Sequence, residues 1–140
     1  MKRRRKSGPR RRWWIIALCL VIAVAAGAAA YNRFWSVASS ARKAGEAFFA
    51  AALAGDVEAV ESMLADDARL TASQIVSMYS GLRTARISDV ERARPNESGV
   101  DYVVIASGAH ESGYTEMTSL LMRREEDRWF VLDAGQRLEY

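Results

Sequence analysis

The side chains able to do acid–base chemistry are few and widely spaced along the chain. His110 is the one histidine among 140 residues. It lies beside Glu111 in the stretch Gly108 to Gly113, whose composition reads as a solvated turn. Asp89, Asp101, Tyr102, Tyr114 and Glu116 fall on strand-like segments, and Asp89 or Asp101 would have to turn inward to serve as a base. Proton abstraction next to a carbonyl needs such a base together with charge stabilisation. One face of an antiparallel strand is ordinarily wet, so these residues are expected to face solvent. One histidine and a neighbouring carboxylate supply too few ligands for a zinc-type site. HExxH, a phosphate-binding glycine loop and a nucleophile elbow are all absent from the sequence. The sequence therefore assigns no catalytic residue, no cofactor and no metal ligand, and it leans away from an enzyme.

What positions any site is governed by residues 13–30, an unbroken apolar run without a charged side chain. Eighteen helical residues span roughly 27 Å, close to the roughly 30 Å hydrocarbon core of a bilayer. Lys2, Arg3, Arg4, Arg5, Lys6, Arg10, Arg11 and Arg12 precede it, which predicts a cytoplasmic N-terminus and an extracytoplasmic C-terminal region. Trp13 and Trp14 fall where amphipathic rings prefer the headgroup level. The expected location is the plasma (inner) membrane, as a single-pass protein bound to lipid through residues 13–30 and the basic arm 1–12. A signal peptide cut after Ala28-Ala29-Ala30 is the alternative, giving a secreted or periplasmic protein. A twin-arginine route is open for the arginine-rich flank, whereas Cys19 reads as a small apolar residue within the run.

The basic block also explains the formal net charge of +3. Residues 31–140 carry an acidic excess, and the block is short, lacks interleaved aromatics and abuts the apolar run, so nucleic acid is not expected as a partner. Cys19 is the only cysteine. The exported region must hold together through an ordinary core, with neither disulfides nor thiolate-bound metal.

After a junction at 31–37, apolar residues from Ala38 to Leu53 recur at helical spacing, and Gly55 ends the helix. Asp56 is a candidate N-cap for a second helix through Val57, Val60, Met63 and Leu64. Thr71 and Gln74 have capping-box spacing for a third helix, through Ile75, Met78, Tyr79 and Leu82, closed by Gly81. From residue 83 the period shortens to two. Strands are expected over Leu82–Arg92, Val100–Ser107, Tyr114–Arg124 and Arg128–Asp133, with short links that favour an antiparallel meander. The fold class is α+β: one N-terminal membrane helix, then helices packed on a curved four-stranded antiparallel sheet. A domain over 38–134 and a tail over 135–140 complete the chain. Asn96-Glu97-Ser98 matches a glycosylation sequon, although a hairpin turn accounts for the same residues.

Apolar residues occupy both strand faces, which a sheet covered by helices on one side does not require. Val103, Ile105, Leu120, Met122, Phe130 and Leu132 are therefore candidates for an interface with a second copy or an envelope protein partner.

The run Phe48-Phe49-Ala50-Ala51-Ala52-Leu53-Ala54-Gly55-Asp56 and the closing Asp127-Arg128-Trp129-Phe130-Val131-Leu132-Asp133 resemble the nuclear transport factor 2-like superfamily. The likeness covers about residues 38–134, particularly to its small membrane-anchored bacterial envelope members. It implies a cystatin-like cone, a bent sheet wrapping helices around a pocket, often dimeric through the outer sheet face. Superfamily members include isomerases, dehydratases, ligand carriers and scaffold subunits of secretion machines, so fold alone leaves function open. Enzymes on this cone often use an Asp-His pair or a Tyr-Asp oxyanion hole. The leading expectation is a membrane-anchored, extracytoplasmic binding or assembly module without catalytic activity, forming a homo-oligomer such as a dimer. The alternative is a ligand-binding or enzymatic cone with a pocket lined by Phe48, Phe49, Tyr102, Met117 and Trp129, aromatics that would equally fill a core.

Overall fold

The structure, a computed structural model, describes residues 9–95 and 99–136. Most of the basic arm, the Asn96-Glu97-Ser98 sequon and the last four residues of the tail lie outside the described residues. Helix α1 (Pro9–Leu53) is followed by α2 (Val57–Ser62), α3 (Ala72–Tyr79) and strands β1 (Leu82–Arg92), β2 (Tyr102–His110), β3 (Thr115–Glu125) and β4 (Arg128–Gln136). The chain divides into two units, Met1–Ser36 and Val37–Tyr140. In the first, α1 holds one stretch long and apolar enough to cross a membrane, and its large side chains from Trp13 to Val24 are exposed. The junction at 31–37 is helical, where the sequence marked only a break between elements.

In the second unit, local sequence sets each helix end. Gly55 adopts φ 74°, the Asp56 amide donates to Ala51 O and the Gly55 amide donates to Ala52 O. This is a Schellman turn, which a residue with a Cβ enters only with strain. Asp56 Oδ1 then accepts from the Ala59 amide at 3.0 Å, capping α2. Thr71 and Gln74 form both halves of the expected capping box on α3.

The sheet is an open antiparallel meander in the order β1-β2-β3-β4. One face packs on the helices. Val104 pairs with Leu120 and Tyr102 with Met122, and Val131 stands opposite Met122. These residues join Phe48, Phe49, Val60, Ile75 and Tyr79 in a single buried cluster. Each fully buried large apolar side chain contributes about 1.5–3 kcal/mol. The C-terminal part of α1 lies close to the sheet at Gly45, where a Cβ would meet Val104 at 3.0 Å and Ile87 at 3.1 Å.

Both outer strands are occupied along part of their free edges. The α2–α3 link runs beside β4: Leu64 forms a parallel bridge with Val131, and the Ala65 and Arg69 amides donate to Val131 O and Leu132 O. Arg123 fastens this link through two hydrogen bonds to Asp67, holding that carboxyl below its usual range. On β1, Arg42 Nη1 donates to Ile87 O at 3.1 Å, and irregularities interrupt the ladder between Leu82 and Thr84 and between Ile87 and Asp89.

Most strand limits fall within two residues of expectation, and two strand ends run further. β2 continues to His110 because Gly108 is a ladder residue paired with Ala85 and Glu116. A Cβ at Gly108 would come within 2.9 Å of the Leu82 methyls, so the glycine permits close packing instead of breaking the strand. β4 also continues past Asp133, taking Gly135 and Gln136 from the expected tail.

Candidate functional site

At the end of the core face where Val37 begins the second unit, a cleft of about 510 Å³ opens. Tyr102 and Trp129 form its aromatic wall, with ring centroids 5.6 Å apart in edge-to-face geometry. Trp129 Nε1 donates to Ser40 Oγ at 2.9 Å, which fixes the indole against α1. Arg92, Asp101, Arg124, Glu126 and Asp127 supply the polar rim.

Three of the rim residues are joined by hydrogen bonds. Asp101 Oδ2 accepts from the Arg124 amide at 2.7 Å, and Arg124 Nη2 donates to Asp127 Oδ1 at 2.5 Å. Glu126 and Asp127 are the central residues of the β3–β4 turn, with φ values of 46° and 67°. A two-residue hairpin of type I′ needs positive φ at both places, usually met by Asn-Gly. Two carboxylates are held there instead, in a backbone region that costs a residue with a Cβ roughly 1–2 kcal/mol.

A second polar group lies at the opposite end of the same face. His110 Nε2 stands 3.3 Å from Glu116 Oε2, with side chains 26% and 11% exposed, and the His110 and Tyr114 ring centroids are 5.6 Å apart. His110 is thus the last residue of a strand, correcting the expected solvated turn. Between the ends, Tyr79 Oη and Thr118 Oγ1 are 2.7 Å apart in the core, and Thr118 Oγ1 donates to Gly135 O.

The expected pocket residues separate. Tyr102 and Trp129 reach the cleft, whereas Phe48 and Phe49 are 0% and 2% exposed within the core. Met117 pairs with Ser107 on the other sheet face. The expected interface set is also split by register. Val103 and Ile105 share the outer face, where Val103 pairs with Leu121 and Phe130 stands opposite Arg123, but Ile105 is only 3% exposed, already covered within the chain, which corrects its expected place in an interface. Leu120 and Met122 are a correction: they point into the core at 0% and 1% exposure. Adjacent strand residues point to opposite faces, so the set mixed two surfaces. Leu132 lies at the irregularity between the Leu121–Asp133 and Met122–Val131 pairs.

Asp101 and Asp89 are both exposed, and Asp89 Oδ1 accepts from the Val90 amide. Neither stands in a dry setting that would tune a general base. Among the described residues, no three His, Cys, Asp or Glu side chains converge to hold a metal. Sequence reasoning missed Arg92, Arg124 and the His110–Glu116 pair. The alternation Leu120, Met122, Arg124 and the alternation Val104, Ala106, Gly108, His110 were the signals available for them.

Helices leading into an open four-stranded antiparallel meander have the arrangement of the nuclear transport factor 2-like fold. Solved structures share it: an NTF-2-like protein of unknown function from Shewanella oneidensis aligns at 13% identity and TM-score 0.50, over 70% of this chain and 96% of its own. A protein of unknown function from Mycobacterium tuberculosis aligns at 9% identity and TM-score 0.53, over 76% and 74%. No family model matches the sequence, and no curated protein matches it either.

Proposed function

We propose that this chain is a single-pass inner-membrane protein whose C-terminal cone lies outside the cytoplasm as a non-catalytic assembly module, self-associating through its outer sheet face. The observation that carries the reading is the use of the two faces. Phe48, Phe49, Tyr79, Leu120 and Met122 fill the helix-facing side at 2% exposure or less. Val103, Leu121 and Phe130 lie half-buried on the other side, outside the helix-facing core cluster. An apolar row on a second face fits a protein partner, and a second copy offers the same row by two-fold symmetry. The basic arm orients the chain, and the apolar run tethers it.

The test is crosslinking of the full chain in native membranes, comparing wild type with Val103→Glu and Leu121→Glu. The expected result is a crosslinked dimer that each charge reduces by about tenfold, the loss of roughly 1.4 kcal/mol. A strictly monomeric chain at high density, with no neighbour captured, would sink the assembly reading. A second reading, binding of a small ligand, is supported by the cleft walled by Tyr102 and Trp129. It predicts ligand-dependent protection of Trp129 fluorescence from a soluble quencher, and it places function at that end of the cone.

A further inference from the structure

We infer that Tyr31, Phe34 and Trp35 form an aromatic belt seated in the outer-leaflet headgroup region, so that the lipid-contacting helix extends through residue 35 and not only to Ala30. The inference rests on the membrane-anchor reading and adds the lipid interface as the partner of a segment that sequence alone left as a junction.

Three observations within the first unit support it. First, the segment is helical and continuous with the apolar run, since α1 passes through residues 31–36 without a break. Second, Tyr31, Phe34 and Trp35 are 65%, 47% and 56% exposed. The spacing i, i+3, i+4 gathers them on one side of the helix. Tyr31 and Trp35 meet edge to face with centroids 6.0 Å apart, a contact between neighbours that leaves most of each ring uncovered. Third, the distance fits. From the midpoint of Trp13 and Trp14 to the centre of the trio is about 20 residues, or about 30 Å of helix, against a hydrocarbon core of roughly 30 Å.

Two aromatic groups one bilayer apart, with the uncharged run between them, match the belts that Trp and Tyr form at both interfaces. Asn32 and Arg33 lie within the second group. Both suit the headgroup zone, where an arginine buries its stem and keeps its guanidinium beside lipid phosphate. This placement also bears on cleavage. Ala28-Ala29-Ala30 then sits in helical backbone at the edge of the hydrocarbon, and a cut there would leave three large exposed rings at a new soluble terminus.

The test uses the full chain carrying Trp13→Phe and Trp14→Phe, reconstituted in phosphatidylethanolamine–phosphatidylglycerol vesicles whose acyl chains are brominated either near the headgroup or near the bilayer centre. Trp129 gives a constant background, and the emission lost on further Trp35→Phe substitution belongs to Trp35. The belt predicts that shallow bromines quench this component roughly twofold more strongly than deep ones. Carbonate extraction and N-terminal sequencing of wild type in native membranes accompany the measurement. Carbonate-resistant protein whose Trp35 is untouched by either lipid, as when a second helix covers the trio, overturns the belt and leaves the anchor standing. Soluble protein beginning at Tyr31 overturns both.

Discussion

The buried hydroxyl pair in the core gives a test with a worked direction. Thr118 Oγ1 donates its one hydrogen to Gly135 O at 2.9 Å, so Tyr79 must be the donor in the 2.7 Å contact between them. Tyr79 and Thr118 are 1% and 0% exposed, and water cannot readily replace a lost partner. Tyr79→Phe removes one donor and leaves Thr118 still bonded to Gly135, a loss of about 1 kcal/mol. Thr118→Val strands the Tyr79 hydroxyl and also deprives the Gly135 carbonyl of this donor, a loss of about 2–4 kcal/mol. At about 4–8 °C per kcal/mol for a domain near 100 residues, the two variants should differ clearly in melting temperature. The double variant should be less destabilised than the sum by about 1 kcal/mol.

Alkaline pH provides an independent arm of the same test. Burial pushes the Tyr79 hydroxyl up to about 12 from its ordinary 10, with the Glu116 and Asp133 charges adding to the rise. The folded chain therefore keeps a proton that the unfolded chain releases. The contribution to stability is complete below pH 10 and is lost as pH rises through about 12, at up to about 1.4 kcal/mol per pH unit. Urea unfolding of the full chain in detergent, followed by near-ultraviolet circular dichroism from pH 9 to 12, reads both arms. Equal destabilisation by Tyr79→Phe and Thr118→Val, or an alkaline slope unchanged in Tyr79→Phe, would refute the donor assignment and the burial argument respectively.

Two further substitutions probe backbone geometry. Gly45→Val drives side-chain atoms into Val104 and Ile87, where even a Cβ has only 3.0–3.1 Å; urea denaturation should show a loss of about 1–3 kcal/mol despite the better helix propensity. Asp127→Gly relieves a residue at φ 67° and should raise the thermal midpoint, gaining roughly 1 kcal/mol, since the exposed contact to Arg124 that it gives up contributes little.

Legibility in the sequence followed the range of the interaction responsible. The caps at Asp56 and Thr71 and the turn at Gly55 are contacts within a few residues, and each stands where its spacing indicated. β1 keeps its expected limits for the same reason, with a helix cap before it and Pro95 after it. What could not be read depends on strands meeting. Whether Gly108 turns the chain or lets Leu82 approach is decided by β1 lying across from β2. Whether Leu120 or Leu121 faces the helices is decided by register, because both neighbours are leucine and alternation alone is silent. The cleft combines residues from α1, all four strands and a turn, so its parts are far apart in sequence although two of them, Tyr102 and Trp129, were singled out.

The guarded strand edges bear on behaviour in a crowded layer. Proteins tethered to one surface meet far more often than the same number in solution, and sheets that can accept another strand are then prone to grow into open-ended ribbons. Here the segment beside β4 already occupies backbone partners, and Arg42 with the interrupted β1 ladder obstructs the other end of the sheet. The proposed contact through the outer sheet face by two-fold symmetry would close after one partner. Under the proposed anchoring, the tether that concentrates the domain would thus favour small, finite complexes over fibres.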